Sequence, residues 1–207
     1  MILGGKKIGS NSGITLSGQI TLKCVKTLAH EYGHYFFGPR HFNSLGKYSS
    51  MGGTQTMHAY EREKLGWIKP IILDKAWKDL VITDAILTSR IYRIPLDDSE
   101  KEYVYLENRQ RSTYWDKIIS DGDDECDLDK WRIFPETGLL ITHVKGWKMD
   151  VQKPDQVNRI PYKSGQKFSL TKNPDSDSPE NDKRTIQIKN IREVGEGIQD
   201  IIVDIEL

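Results

Sequence analysis

The chain has 207 residues, 37% of them hydrophobic and 29% charged, which is enough to bury the core of one large domain or two small ones and excludes a disordered chain. Thirty Lys and Arg balance thirty Asp and Glu, so neither the basic excess nor the basic face of a nucleic-acid binder is visible. No apolar run approaches the roughly 18–20 residues that cross a bilayer, and no N-terminal stretch suits a signal peptide, so a cytosolic protein and a mature piece of a secreted one both fit.

Residues 1–19 are rich in Gly and Ser, with short β-like runs such as Gly13-Ile14-Thr15-Leu16. Between residues 19 and 37, Ile20, Leu22, Val25, Leu28, Ala29, Tyr32 and Phe36 recur mostly three or four apart, which predicts a helix. Gly38-Pro39 ends it, since Gly suits a C-terminal cap and Pro cannot continue the ladder. Cys24 falls in this helix and reads as a small buried hydrophobe; whether it pairs with Cys126 is left open. A Gly- and Ser-rich loop covers residues 40–55, and a second helix is expected over 56–65, closed by Gly66.

From Trp67 onward the pattern is β. Segments 80–82, 91–94, 103–107, 139–144, 185–191 and 198–205 are bounded by turn-formers, and many alternate, as in Thr185-Ile186-Gln187-Ile188-Lys189. The stretches 120–130 and 173–183 read as solvated loops. The first carries Asp121, Asp123, Asp124, Glu125, Asp127 and Asp129, a composition that suits calcium, although the EF-hand order is missing.

The predicted first helix contains Ala29-His30-Glu31-Tyr32-Gly33-His34. Residues four apart stand one turn above each other, so His30 and His34 project from one face and can reach a single zinc ion at about 2.0–2.1 Å. Glu31 is then placed as a general base that takes a proton from water and passes it to a leaving amine. An HExxH in its helical context is a specific signal for a zinc metallopeptidase.

A third ligand is required. The run His34-Tyr35-Phe36-Phe37-Gly38-Pro39-Arg40-His41 resembles the HExxHxxGxxH of metzincin peptidases, with Gly38 and His41 each one residue late. Arg40, in the strict register, stays charged and cannot ligate zinc, so His41 is the expected ligand. The rivals are Glu61 and Glu63 of the second helix, both expected as exposed helix residues.

The run HEYGHYFFGPRHF, followed by YSSMGG, MHAYEREKLGWI, YVYLENRQ and TGLLITHV, resembles the immune inhibitor A-like secreted metalloproteases over roughly residues 20–150. That resemblance implies an extracellular zinc endopeptidase of metzincin type acting on protein or peptide substrates, with Met51 as the structural methionine of a Met-turn beneath the metal. Many members of the family place Asp where Arg40 stands here, which leaves the third ligand open. Metzincin catalytic domains carry a sheet and a helix ahead of the zinc helix, whereas 29 residues precede His30 here. The expectation is a portion of a larger secreted enzyme, with weak or no proteolysis on its own.

The expected fold class is therefore α+β: residues 1–69 as the zinc-helix end of a metzincin-like catalytic domain, and 70–207 as a mostly antiparallel, sandwich-like β-domain. Zn2+ is the expected cofactor, Ca2+ a second candidate, and neither nucleic acid nor membrane is an expected partner. The competing class is a non-enzymatic β-rich binding or adhesion module that retains a structural zinc site. Among the remaining candidates, His58 is expected as a surface or capping residue and His143 as a packed or hydrogen-bonded strand residue. Glu107-Asn108-Arg109-Gln110 is expected as a hydrogen-bonding strand end, and Tyr48 and Tyr60 are candidate oxyanion donors that no spacing singles out.

Overall fold

Alternating Ile, Val and Leu drive the C-terminal two-thirds into strands, because alternation gives a pleated chain one apolar face to bury. The computed structural model describes residues 2–3, 6–7, 22–39, 41–42, 45, 48–52, 57–96, 101–110, 112, 137–146, 148–151, 161–171 and 185–207. The elements are β1 (Ile2–Leu3), β2 (Lys6–Lys7), α1 (Leu22–Phe37), α2 (Ala59–Lys64), β3 (Ile71–Ile72), β4 (Trp77–Ile82), α3 (Ala85–Thr88), β5 (Tyr92–Pro95), β6 (Glu102–Arg109), β7 (Gly138–Lys145), β8 (Lys148–Val151), β9 (Phe168–Thr171), β10 (Thr185–Val194) and β11 (Asp200–Glu206). The fold is mixed α+β with mostly antiparallel sheets, and each predicted helix and strand segment overlaps an element in the structure.

β1 and β2 form a small antiparallel pair, and the other strands form two larger sheets. One is ordered β4-β11-β10-β9 and is antiparallel throughout. The other is ordered β3-β5-β6-β7-β8, with β3 and β5 parallel and the remaining pairs antiparallel. Their facing sides enclose one core, built from Leu80, Ile82, Ile186, Ile188, Ile191, Ile201, Val203 and Ile205 on one sheet and from Tyr92, Ile94, Val104, Leu106, Leu139 and Ile141 on the other. Ile191 points inward although it is out of phase with Ile186 and Ile188. The register shift between Lys189 and Arg192, with Asn190 at φ +51°, supplies the extra residue that resets the alternation.

The opposite face of the five-stranded sheet is covered too. Tyr103, Tyr105, Leu140 and Val144 join a second core with Phe42, Leu45, Tyr48, Met51, Ala59 and Ile68. Residues on either side of the expected boundary at 69–70 therefore share one apolar cluster. All eight residues of β6 are buried as a result. A strand covered on both faces can hold Glu107, Asn108 and Arg109 only if each is hydrogen-bonded.

Two differences from expectation have local causes. α2 begins at Ala59 rather than 56, because His58 adopts an extended backbone and caps it. β11 begins at Asp200, after a turn in which Gly195 and Gly197 take positive φ. The Gly13-Ile14-Thr15-Leu16 run, both acidic loops with the calcium candidate, Arg40, Cys126 and the side chain of Cys24 lie outside the described residues.

Candidate metal centre

α1 carries His30 and His34 one turn apart, so the two rings share a face of the helix. The helix stops at Gly38, whose φ of +72° is left-handed and turns the chain back on itself. The extra residue relative to the usual HExxHxxG spacing has a structural use. It extends the helical bonding to Gly38 N–H, which donates to the His34 carbonyl at 3.0 Å, and it sets the Gly38 carbonyl where His34 Nδ1 donates to it at 2.7 Å. His30 Nδ1 donates to the Ser50 carbonyl at 2.9 Å. A carbonyl can only accept, so both Nδ1 atoms carry the proton and both Nε2 lone pairs are left for a ligand.

His41 arrives on the returning chain. The Phe42 N–H donates to the Met51 carbonyl at 3.1 Å, and the Phe42 ring packs on Phe37 and Tyr60, which pins the segment beside the helix end. The ring centroids of His30, His34 and His41 lie 5.0 Å from one another in all three pairs. Their candidate ligand nitrogens fall within 4.8 Å of one another. Three nitrogens on one tetrahedral ion at 2.0–2.1 Å stand about 3.4 Å apart, somewhat closer than this outer bound. His30 and His34 are half-buried, and His41 and Glu31 are exposed, so the histidine group is within reach of solvent.

The fit to a metal is therefore good on donor chemistry: three imidazoles, two of them oriented by backbone acceptors at Nδ1, as outer-shell partners of metal-ligating histidines usually do. Among the described residues the group has three members, and three protein ligands with an open position are the hallmark of catalytic rather than structural zinc sites.

Met51 is fully buried directly against Gly33, which lies between His30 and His34 in the sequence of α1. A Cβ added at Gly33 would collide with Met51 Sδ and come within 3.6 Å of its two neighbouring carbons. Only glycine lets the helix lie this close to the methionine. Gly33→Ala should cost about 1–3 kcal/mol through overpacking, read as a lower midpoint in thermal or urea unfolding. An unchanged midpoint would show that Met51 is free to move away.

Around this centre lies a polar network that the sequence did not announce. Glu61 is fully buried, contrary to its expected exposure. Its Oε1 accepts the Ser49 hydroxyl at 2.9 Å and the Met51 N–H at 2.8 Å, while Oε2 accepts the Ser50 N–H at 3.2 Å and the His58 N–H at 2.7 Å. Burial pushes its carboxyl up from the ordinary range, opposed by the Met51 and His58 N–H groups. The signal for it was a capping box: Glu61 is the third residue after the helix cap His58.

His58 is buried as well, so of the two expected roles it is the cap and not the surface residue. Its Nδ1 accepts the Tyr60 N–H at 3.1 Å, which places the ring proton on Nε2, 3.0 Å from Glu107 and 2.9 Å from Thr142. Glu107 also accepts the Ala59 N–H at 3.1 Å and pairs with Arg109 at 3.3 Å. Burial alone would raise its carboxyl; His58, Arg109 and the Ala59 N–H outweigh that and hold it at about 2.

The remaining candidates are occupied elsewhere. Glu63 accepts Arg93 Nη1 at 2.9 Å and the Tyr105 hydroxyl, so neither carboxylate rival joins the histidine group. Tyr48 is buried in the second core, and the Tyr60 and Phe42 rings meet edge to face. His143 Nε2 bonds Glu102 at 3.0 Å in the five-stranded sheet, as a hydrogen-bonded strand residue. Asn108 donates to the carbonyls of Ile82 and Gln199 at 2.9 and 2.7 Å, linking β6 to the second sheet. Compared with protein-family models, curated proteins and solved structures, the chain matches none of them.

Proposed function

We propose that this chain carries the zinc centre of a secreted endopeptidase that hydrolyses peptide bonds in protein substrates with water. The convergence of His30, His34 and His41, with two Nδ1 atoms already committed to carbonyls, is the observation that carries this reading. His30, His34 and His41 would hold zinc through Nε2, and Glu31 would stand on the open side. Zinc, when bound, supplies Lewis acidity that polarises a carbonyl and acidifies a water molecule.

The chain's own part is proton handling and positioning. The Glu31 carboxylate accepts a proton from the attacking water, whose oxygen adds to the scissile carbonyl carbon. As the C–N bond breaks, the same proton passes from Glu31 to the leaving nitrogen, so the carboxylate ends as it began. Met51 and the Ser50 carbonyl keep the ligand face of α1 in place through these events. The secreted setting and the endopeptidase class come from the resemblance of HEYGHYFFGPRHF, LENRQ and GLLITHV to immune inhibitor A-like enzymes.

The test combines metal analysis with a casein or gelatin assay on the chain and on Glu31→Gln. The expected result is stoichiometric zinc in both proteins, and cleavage reduced at least about 10²–10⁴-fold by the substitution, the usual contribution of a general acid–base. Absence of zinc from the chain, or cleavage that Glu31→Gln leaves unchanged, would overturn the reading.

A further inference from the structure

The loop that supplies the Ser50 carbonyl and Met51 is rich in Gly and Ser and has no intrinsic shape of its own. Something must hold it, since His30 takes its orientation from it. We infer that Glu61 is the positioning residue of the histidine triad: its carboxylate fixes the Ser49-Ser50-Met51 turn, and through the Ser50 carbonyl it fixes the ring of His30. The inference rests on the zinc reading above for its functional meaning.

Three of the four hydrogen bonds to Glu61 come from three successive residues of that turn, the Ser49 hydroxyl and the Ser50 and Met51 N–H groups, at 2.9, 3.2 and 2.8 Å. They reach back 10 to 12 residues along the chain to a side chain with no exposure. The fourth, from the His58 N–H at 2.7 Å, fixes the carboxylate on its own helix. His58 is in turn tied to Glu107 and Thr142, so the turn is linked through it to β6 and β7 of the five-stranded sheet. Each carboxylate oxygen thus takes two donors, which leaves neither for a metal, and Glu61 acts on the triad only through the turn.

A carboxylate is required because all four partners are donors. With Gln at this position, whichever way the amide is turned, two of the four donors face an N–H2 group. Glu61→Gln is therefore close to isosteric but breaks half the network. Ser49→Ala removes one donor to Glu61 and the acceptor of the Gly52 N–H at 3.0 Å, leaves the other three bonds to Glu61 in place, and is the milder companion variant.

Two readouts separate positioning from mere stability. The first is Co2+ or Zn2+ affinity by competition with a chelator. The second, taken on the metal-free protein, is the slowly exchanging His30 Nδ1–H signal in ¹⁵N-histidine NMR spectra. Folded Glu61→Gln should bind metal about 10–100-fold more weakly, the usual cost of losing an outer-shell partner, and should lose the His30 signal. Ser49→Ala should weaken binding by about 3–10-fold and weaken the His30 signal, and these two readouts together decide the matter if Glu61→Gln does not fold. Native metal affinity or an intact His30 signal in a folded Glu61→Gln protein overturns the inference. If the unaltered chain binds no metal, the zinc reading falls, and the NMR signal alone judges the role of Glu61.

Discussion

His41→Ala should reduce zinc or cobalt affinity by at least about a hundredfold, beyond the 10–100-fold range typical of outer-shell changes, because it removes a donor from the triad itself. The argument rests on what else is within reach. His41 is held beside the helix end by the Phe42 N–H bond to the Met51 carbonyl at 3.1 Å. Glu61 and Glu63 already accept hydrogen bonds from Ser49 and Met51 and from Arg93 and Tyr105, so neither can substitute without breaking them. Two imidazoles four residues apart then remain, which hold zinc poorly without a third. His41 is exposed, so the metal-free variant should unfold within about 0.5 kcal/mol of the parent. Chelator competition and metal content after gel filtration measure the effect. Native affinity in His41→Ala would move the third ligand elsewhere.

What could be read from the chain alone was local. His30 and His34 are four residues apart, Gly38 ends the helix, and the GxxH spacing points at His41, all within one helix and its first bend. The strands were legible where alternation persisted, as in residues 185–191. β3, β9 and α3 are two to four residues long, too short for a period to show. The burial of Glu61, His58 and Glu107 was not legible, because their partners lie far along the chain. Ala59 and Glu107 are 48 residues apart, and His58 and Thr142 are 84. A charged helix residue is exposed by default, and only the capping-box spacing from His58 to Glu61 hinted otherwise. The same non-locality hid the double-sided burial of β6. Its Glu-Asn-Arg sequence reads as a hydrogen-bonding strand end, but what it bonds to is plain only once α2 and the second sheet are placed on its two faces.

Glu107 is where this non-local network meets the helix cap and the charged end of β6. It is fully buried, with its carboxyl held at about 2, against an ordinary value of 4.5. The sign follows directly. Above pH 5 the group is ionised in both folded and unfolded chains, and its full contribution is present. As pH falls below 4.5 the unfolded chain takes up a proton that the folded one refuses until about 2, so stability drains away across that window. A depression of this size corresponds to on the order of 3 kcal/mol. Glu107→Gln should therefore lose about 3–5 kcal/mol at neutral pH, because Arg109 is left buried without its charge partner, and should show a flatter acid limb in urea unfolding between pH 6 and 2. The comparison isolates Glu107 from Glu61, whose desolvated carboxyl is pushed the other way and whose protonation favours the folded state as pH falls. Equal acid limbs for the two proteins would mean that the His58–Glu107–Arg109 cluster does not hold the charge that its geometry implies. The N-terminus of α2 would then be anchored to the sheet by packing alone.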